Sequence, residues 1–363
     1  MDKIPLCRMY VDDETKKAVM DVLDSGWYVK GQNAEGLESE FAAFCQAKHG
    51  ISASSGTSAI FMALKALGIG PGDEVIVPSA TFIATVNPII LLGGTPVFAD
   101  IDPTTNTIDV DQIKELVTSK TKAIIPVHLY GHPAEMKPIM DSARENDIKV
   151  VADACQAHGA MCFGHNVGTI ADIACFSFFP SKNMSVLGEG GMITTNDPEL
   201  AKKMSMIKDH GRADKYTSVM FGLNLRLSEI HAAIGRVQLK HLADWVEARR
   251  KNAELYTKLL GEVEGITVPI EKGWAKHVYY VYVIKTEKRD ALAEHLKSKN
   301  IATGIHYPLP VHRQPFILDS LPAVDLLHTD KWGDTILSLP MDPQISGKEI
   351  QRVVDEIAEF LKS

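Results

Sequence analysis

Apolar residues in this chain fall in short, nearly continuous runs, separated by stretches in which they recur every three or four positions. Runs of the first kind read as strands buried on both faces, and stretches of the second kind as amphipathic helices. The pattern predicts strands at Glu74-Val-Ile-Val-Pro78, Pro96-Val-Phe-Ala-Asp100, Ala123-Ile-Ile-Pro-Val127, Lys149-Val-Val-Ala-Asp153 and Ala174-Cys-Phe-Ser177. Between them it predicts helices over Ser58 to Leu67, Asp111 to Thr118 and Met136 to Asn146. Strands spaced by helices imply a mostly parallel sheet covered on both faces. A long helix follows from Ser228 to about Arg250, and then the pattern changes. Val278-Tyr-Tyr-Val-Tyr-Val-Ile284 reads as a strand, Lys288 to Lys297 as a helix and Gly347 to Leu361 as a terminal helix. The expected architecture is α/β, with a large domain over 1–243 and a smaller C-terminal α/β domain over 244–363. Ligands of such sheets bind beyond the carboxyl ends of the strands. Asp153, Ser177 and His128 lie at or just after such ends, so they can converge.

Composition narrows the function classes without changing this picture. The net charge is -8 with 45% hydrophobic and 23% charged residues, an ordinary globular balance. An acidic chain argues against nucleic acid, which needs clustered Lys and Arg. The longest basic cluster, Arg249-Arg250-Lys251, reads as a solvated helix face. The five cysteines, Cys7, Cys45, Cys155, Cys162 and Cys175, form no C-x-x-C pair. They fit a reducing cytoplasm and neither a disulfide framework nor a metal site. No signal peptide and no apolar run of membrane-spanning length is expected. Gly68-Ile-Gly-Pro-Gly72 fails the G-x-G-x-x-G pattern of a nicotinamide site.

The chemistry concentrates in a few segments. Phe176-Ser-Phe-Phe-Pro-Ser-Lys182 places a lysine just after a strand and ahead of Gly188-Glu-Gly-Gly191. Scarcity of water disfavours the ammonium form, and a neutral amine can attack an aldehyde to form an imine. Taken alone, Lys182 reads more readily as a surface lysine in a loop. Val150-Val-Ala-Asp-Ala-Cys-Gln-Ala-His158-Gly ends an apolar strand with an acid. Asp153 can there face a pyridinium nitrogen, with about 4 kcal/mol of attraction at 4 Å and an effective dielectric of 20, or cap a helix. Gln156 can donate to a ring phenolate, and His158 can either support the site from behind or be a packed histidine, the plainer account. Ser54-Ser-Gly-Thr-Ser-Ala59 opens a helix, where Gly56 and Thr57 could hold a phosphate with Ser177. An N-cap is the plainer account of this segment. Phe82 in Ser79-Ala-Thr-Phe-Ile-Ala-Thr85 could stack on a flat ring or belong to the core.

These segments resemble the nucleotide-sugar aminotransferases of the DegT/DnrJ/EryC1/StrS group, which depend on pyridoxal 5'-phosphate (PLP). The resemblance extends over Ser55-Gly-Thr-Ser-Ala59, Asp153 to Gly159, Phe176 to Gly191, Gly222-Leu-Asn-Leu-Arg-Leu227 with Gln238-Leu239, Gly304-Ile-His-Tyr-Pro308 and His312-Arg-Gln-Pro315. It implies an aspartate-aminotransferase-like fold of type I and a homodimer with shared active sites. By the match, Lys182 is the Schiff-base lysine and Asp153 the pyridinium partner. Gln156 meets the ring oxygen, Phe82 stacks on the ring, and Gly56, Thr57 and Ser177 hold the phosphate. Asn224 would reach the cofactor of the other subunit. Dehydratases on this fold carry His at the lysine position, whereas this chain has Lys182. Leu225 departs from the aromatic residue common in the family and bears on packing.

The implied reaction passes an amino group from L-glutamate to a keto nucleotide-sugar. Ser25-Gly-Trp-Tyr-Val-Lys-Gly31 looks like the turn of members that aminate C3, whereas Pro126-Val-His-Leu-Tyr-Gly131 also occurs among C4-acting members. Trp27 and Tyr28 could pack on the sugar or base, or merely on the core. His306, Tyr307, His312 and Arg313 are the expected substrate contacts, Arg313 for its bidentate fork toward a diphosphate. A structural salt bridge is the competing account of Arg313. A sugar dehydratase and a non-catalytic PLP-binding sensory protein are the alternatives.

Overall fold

The computed structural model describes residues 2–362. Seven strands form the central sheet: β1 (His49–Ala53), β2 (Glu74–Pro78), β3 (Thr95–Ala99), β4 (Thr121–Ile124), β5 (Lys149–Asp153), β6 (Ile173–Ser177) and β7 (Gly191–Thr195). Their order across the sheet is β1-β7-β6-β5-β4-β2-β3. The five strands from β6 to β3 are parallel, and β7 runs antiparallel to both of its neighbours. All five predicted strands form. The sequence pattern missed β1 and β7, which carry Gly50, Ser52, Thr194 and Thr195 in place of a branched apolar run.

Parallel pairing brings the carboxyl ends of β2, β5 and β6 to one edge. Asp153 lies opposite Cys175 on β6, and a bridge joins it to Val127 beyond β4. The helix Gly56–Leu67 covers one face of the sheet. Most of its residues are buried, so packing rather than propensity holds it. A capping box between Ser55 and Ser58 starts it, and Gly68 at φ 82° ends it in the left-handed conformation. The helices Asp13–Ser25 and Gln32–Cys45 pack on the long helix Glu229–Leu260. That helix runs a further ten residues beyond Arg250, past residue 244.

A separate core gathers beyond it. Strands β8 (Tyr282–Lys285) and β9 (Ile336–Leu339) pair antiparallel. The helix Gly347–Lys362 lays Ile350, Val353, Val354 and Ile357 on this core, at the i, i+3, i+4, i+7 spacing of one helix face. Ile4 belongs to the same core: it bridges Ile301, and Arg8 pairs with the buried Asp342.

Two expectations need correction here. Arg249 is not on a solvated face. It is 2% exposed, and its Nη1 donates to the carbonyls of Tyr279, Tyr280 and Met341. Irregular backbone left those carbonyls without a ladder partner, and a buried guanidinium supplies the donors. The run Val278–Ile284 is a strand only from Tyr282. Ahead of it, Tyr279 takes φ 44°, and the N–H groups of Val278 and Tyr280 donate to Gly131 and Tyr130. Among the described residues no helix is long and apolar enough to cross a membrane.

Buried histidines set an acid limit on this fold. Burial pushes His128 and His158 down to about 3, and burial with the nearby Lys182 pushes His306 down to about 4. Above their unfolded value of about 6.5 these rings are neutral in both states and add no pH dependence. As pH falls below it, the unfolded chain takes up protons that the folded chain refuses. Each ring then costs up to about 1.4 kcal/mol per pH unit. Urea denaturation at pH 7, 6 and 5 is expected to show stability falling over that range. A flat profile would contradict neutral burial of these rings.

Candidate active site

A cavity of about 420 Å³ opens where β2, β5 and β6 end. Three structural facts build its floor. The turn after β2 carries Thr81, Phe82 and Thr85, β5 delivers Asp153, and β6 delivers Ser177 ahead of the Lys182 loop. Nearly every cofactor residue expected from sequence lines it: Gly56, Thr57, Phe82, Asp153, Gln156, Ser177 and Lys182.

Asp153 is 6% exposed and fixed at both oxygens. Its Oδ1 accepts the Cys155 N–H at 3.0 Å, and its Oδ2 accepts the Thr85 hydroxyl at 2.7 Å. Lys182 is half-buried, with Nζ 4.3 Å from the centre of the Tyr280 ring. No carboxylate lies within ion-pair range of it among the described residues. Tyr280 is in turn held by Ser181, whose hydroxyl lies 2.9 Å from the phenol oxygen. Gln156 Oε1 accepts the Tyr130 N–H at 2.7 Å, which orients the side-chain amide nitrogen toward Tyr307, 3.4 Å away. Phe82 and Tyr307 form a wall, with ring centres 5.1 Å apart. Burial, with Tyr280 and Asp153 close by, pushes the Tyr307 phenol up, so it stays protonated.

The helix Gly56–Leu67 points its first turn at this cavity. N–H groups of a first turn have no acceptor inside the helix and favour an anion. A Cβ on Gly56 would stand 2.8 Å from Cys155 Sγ and 2.9 Å from Ser177 Cβ. Only glycine lets the helix start sit this close to the ends of β5 and β6. The donor set suits PLP: an anion cradle at Gly56, Thr57 and Ser177, a buried carboxylate at Asp153 for a ring cation, and an amine at Lys182 without a competing acid.

Other expected residues lie elsewhere. His306 and Tyr307 line the cavity, His306 with Nδ1 2.8 Å from Ser338 Oγ. His312 and Arg313 do not line it. His312 is buried between Ser79 Oγ (2.6 Å from Nδ1) and Asp330 (3.2 Å from Nε2). Arg313 grips Asp330 at 2.6 Å and Asp325 at 3.3 Å. Trp27, Tyr28 and Asn224 are exposed and stand outside this chain's own cavity. His158 is packed, between Phe41, Phe176 and Phe178. Thr81, Thr85, Cys155, Ser181, Glu189 and Tyr280 also line the cavity and were not singled out from sequence. Thr85 could have been found, as it ends the same segment that drew attention to Phe82.

Comparison with known proteins agrees with this geometry. The "Pleiotropic regulatory protein" of Geobacillus stearothermophilus is 45% identical over 357 residues, covering 96% of this chain and 96% of the relative. The dTDP-3-amino-3,4,6-trideoxy-alpha-D-glucose transaminase of Streptomyces venezuelae is 39% identical, covering 96% of this chain and 92% of the relative. The crystal structure of S. venezuelae DesV in complex with a ketimine intermediate superposes with a TM-score of 0.97 at 37% identity, over 100% of both chains. The model of the DegT/DnrJ/EryC1/StrS aminotransferase family matches residues 9–358, and the chain belongs to that family.

Proposed function

We propose that this PLP-dependent aminotransferase passes the amino group of L-glutamate to a 3-keto nucleotide-sugar, as a homodimer in which each subunit completes the other's site. The observation that carries the catalytic part is the pairing of Lys182 with the doubly anchored Asp153 in one cavity. When bound, PLP supplies an aldehyde that takes up the amino group and a ring that accepts the electrons of a departing proton. Lys182 Nζ would hold the cofactor and, as a neutral amine, would take up and return a proton. Asp153 keeps a proton on the ring nitrogen by charge. Gln156 would donate to the cofactor ring, Phe82 would pack against it, and Gly56, Thr57 and Ser177 would bind its phosphate. Tyr307 and His306 stand where a sugar would enter.

The C3 assignment is supported by the turn Ser25 to Gly31 and by the name of the Streptomyces relative. The dimer is supported by an exposed apolar surface that a monomer would leave wet. Tyr216 is 83% exposed, Trp27 63%, Val219 59% and Phe221 57%. Lys30 Nζ lies 2.6 Å from Asp209, and Asp209 bridges Asn224, so the 27–31 turn and the 209–224 loop form one surface. Asn224 would reach the phosphate in the partner's cavity from there, with Trp27 and Tyr28 beside the substrate.

The assay mixes the protein, PLP and L-glutamate with a 3-keto and a 4-keto nucleotide-sugar and reads products by mass. Amination of the 3-keto sugar is expected, with ping-pong kinetics. Amination of the 4-keto sugar alone would overturn the C3 assignment. A deoxygenated product would identify a dehydratase, and no turnover of either sugar would remove the enzymatic reading.

A further inference from the structure

We propose that Thr85 is a positioning residue for Asp153, holding its carboxylate through a one-way hydrogen-bond chain that starts at Thr81. The proposal rests on the reading above, in which Asp153 faces the ring nitrogen of PLP. The groups lie in sequence: Thr81 Oγ1 is 2.7 Å from Thr85 Oγ1, and Thr85 Oγ1 is 2.7 Å from Asp153 Oδ2. An ionised carboxylate only accepts, and a hydroxyl has a single proton. Thr85 therefore gives its proton to Asp153, and Thr81 must donate to Thr85. Each donor polarises the next, and the direction of the chain is fixed.

Water cannot replace these contacts. Thr81 is 2% exposed, Thr85 1% and Asp153 6%. The chain is also anchored at its far end. Thr81 N–H donates to the Ser79 carbonyl at 3.0 Å. Ser79 is stapled to the segment after Pro310, its carbonyl accepting from Val311 N–H at 3.1 Å and its hydroxyl from His312 N–H at 2.9 Å. Buried His312 thus has a job: it secures the strand exit from which the chain begins. Thr85 closes the short turn Ile83–Thr85, its N–H bonded to the Phe82 carbonyl at 3.0 Å. One turn therefore sets both the ring at the cavity wall and the hydroxyl beneath the acid. With Cys155 N–H on Oδ1, the carboxylate plane cannot rotate, and its free lone pairs keep one aim.

The test compares Thr85→Val, Thr85→Ser, Asp153→Asn and the Thr85→Val/Asp153→Asn double variant as holoenzymes. The readouts are PLP retention on dilution, followed by the visible absorbance, and the pH titration of that absorbance. Thermal melting checks the fold. Thr85→Val is expected to weaken PLP retention roughly 10- to 100-fold, the worth of one hydrogen bond to a charged group. Its absorbance titration should shift. Thr85→Ser should restore both, and Thr85→Val should add nothing once Asp153 is Asn. Thr81→Val, which leaves Thr85 in place, moves the same readouts less and keeps the test alive if the Thr85 variant melts early. An Asp153→Asn variant indistinguishable from the unaltered protein overturns the reading of Asp153 and this proposal with it. With Asp153→Asn impaired, an unaltered spectrum and PLP retention in Thr85→Val overturn the Thr85 chain alone, as does a full Thr85→Val effect in the Asp153→Asn background.

Discussion

Replacing Lys182 with alanine is expected to leave a folded protein that transfers no amino group. In the proposed function the lysine does two jobs at one nitrogen: it holds the cofactor and it moves the proton. General acid–base catalysis by a positioned side chain is worth roughly 10²- to 10⁴-fold. Loss of that role alone should cut kcat by at least about a hundredfold, and loss of covalent holding should remove the visible absorbance of bound PLP. The fold should tolerate the change, because the side chain is half-buried and its recorded partner is the face of Tyr280. Such a contact contributes about 0.5–2 kcal/mol. Lys182→Arg is the stricter control. It keeps the charge, yet a guanidinium does not give up its proton in a protein, so it too should be inactive. Either variant turning over within tenfold of the unaltered enzyme would move the catalytic amine elsewhere.

Asp153→Asn should be the next most damaging change. The substitution keeps the size of the side chain and removes its charge. Attraction between unit charges at 4 Å and an effective dielectric of 20 is about 4 kcal/mol before desolvation. At about 1.4 kcal/mol per factor of ten, a loss of roughly 10²- to 10³-fold in kcat follows. The loss should fall on proton removal, so glutamate deuterated at its α-carbon should show a larger isotope effect in the variant. A rate near normal, or an unchanged isotope effect, would count against a charged Asp153 at the ring.

The sequence made the proposed cofactor site legible because Asp153 and Ser177 stand at the ends of apolar strands, with Lys182 in the loop that follows the second. Val150-Val-Ala before Asp153 and Ala174-Cys-Phe before Ser177 announce buried parallel strands, and parallel strands deliver their last residues to one edge. Tyr280 was hidden for the opposite reason. It sits in a run of Val and Tyr that reads as a strand, and only tertiary bonds to Tyr130 and Gly131 bend the backbone away. Arg249 misled because charge ordinarily means solvent, and three stray carbonyls reversed that. A polar motif near an expected substrate segment does not say whether its partners are ligand or protein, and His312 and Arg313 stand outside this chain's own cavity. Here they meet Ser79, Asp325 and Asp330.

The bridge between Ile4 and Ile301 has a consequence for synthesis. A ribosome exposes position 4 some hundreds of residues before position 301, and helix 347–362 leaves later still. Until then Ile4 is a greasy, unclaimed hook. Pairings so distant in sequence carry a heavy entropic toll and form late. The last core to set is thus the one that joins Ile4 to Ile301 and to helix 347–362. During translation the part that carries the seven-stranded sheet must stay soluble with that tie still undone, and chaperone capture of nascent chains should peak in that interval.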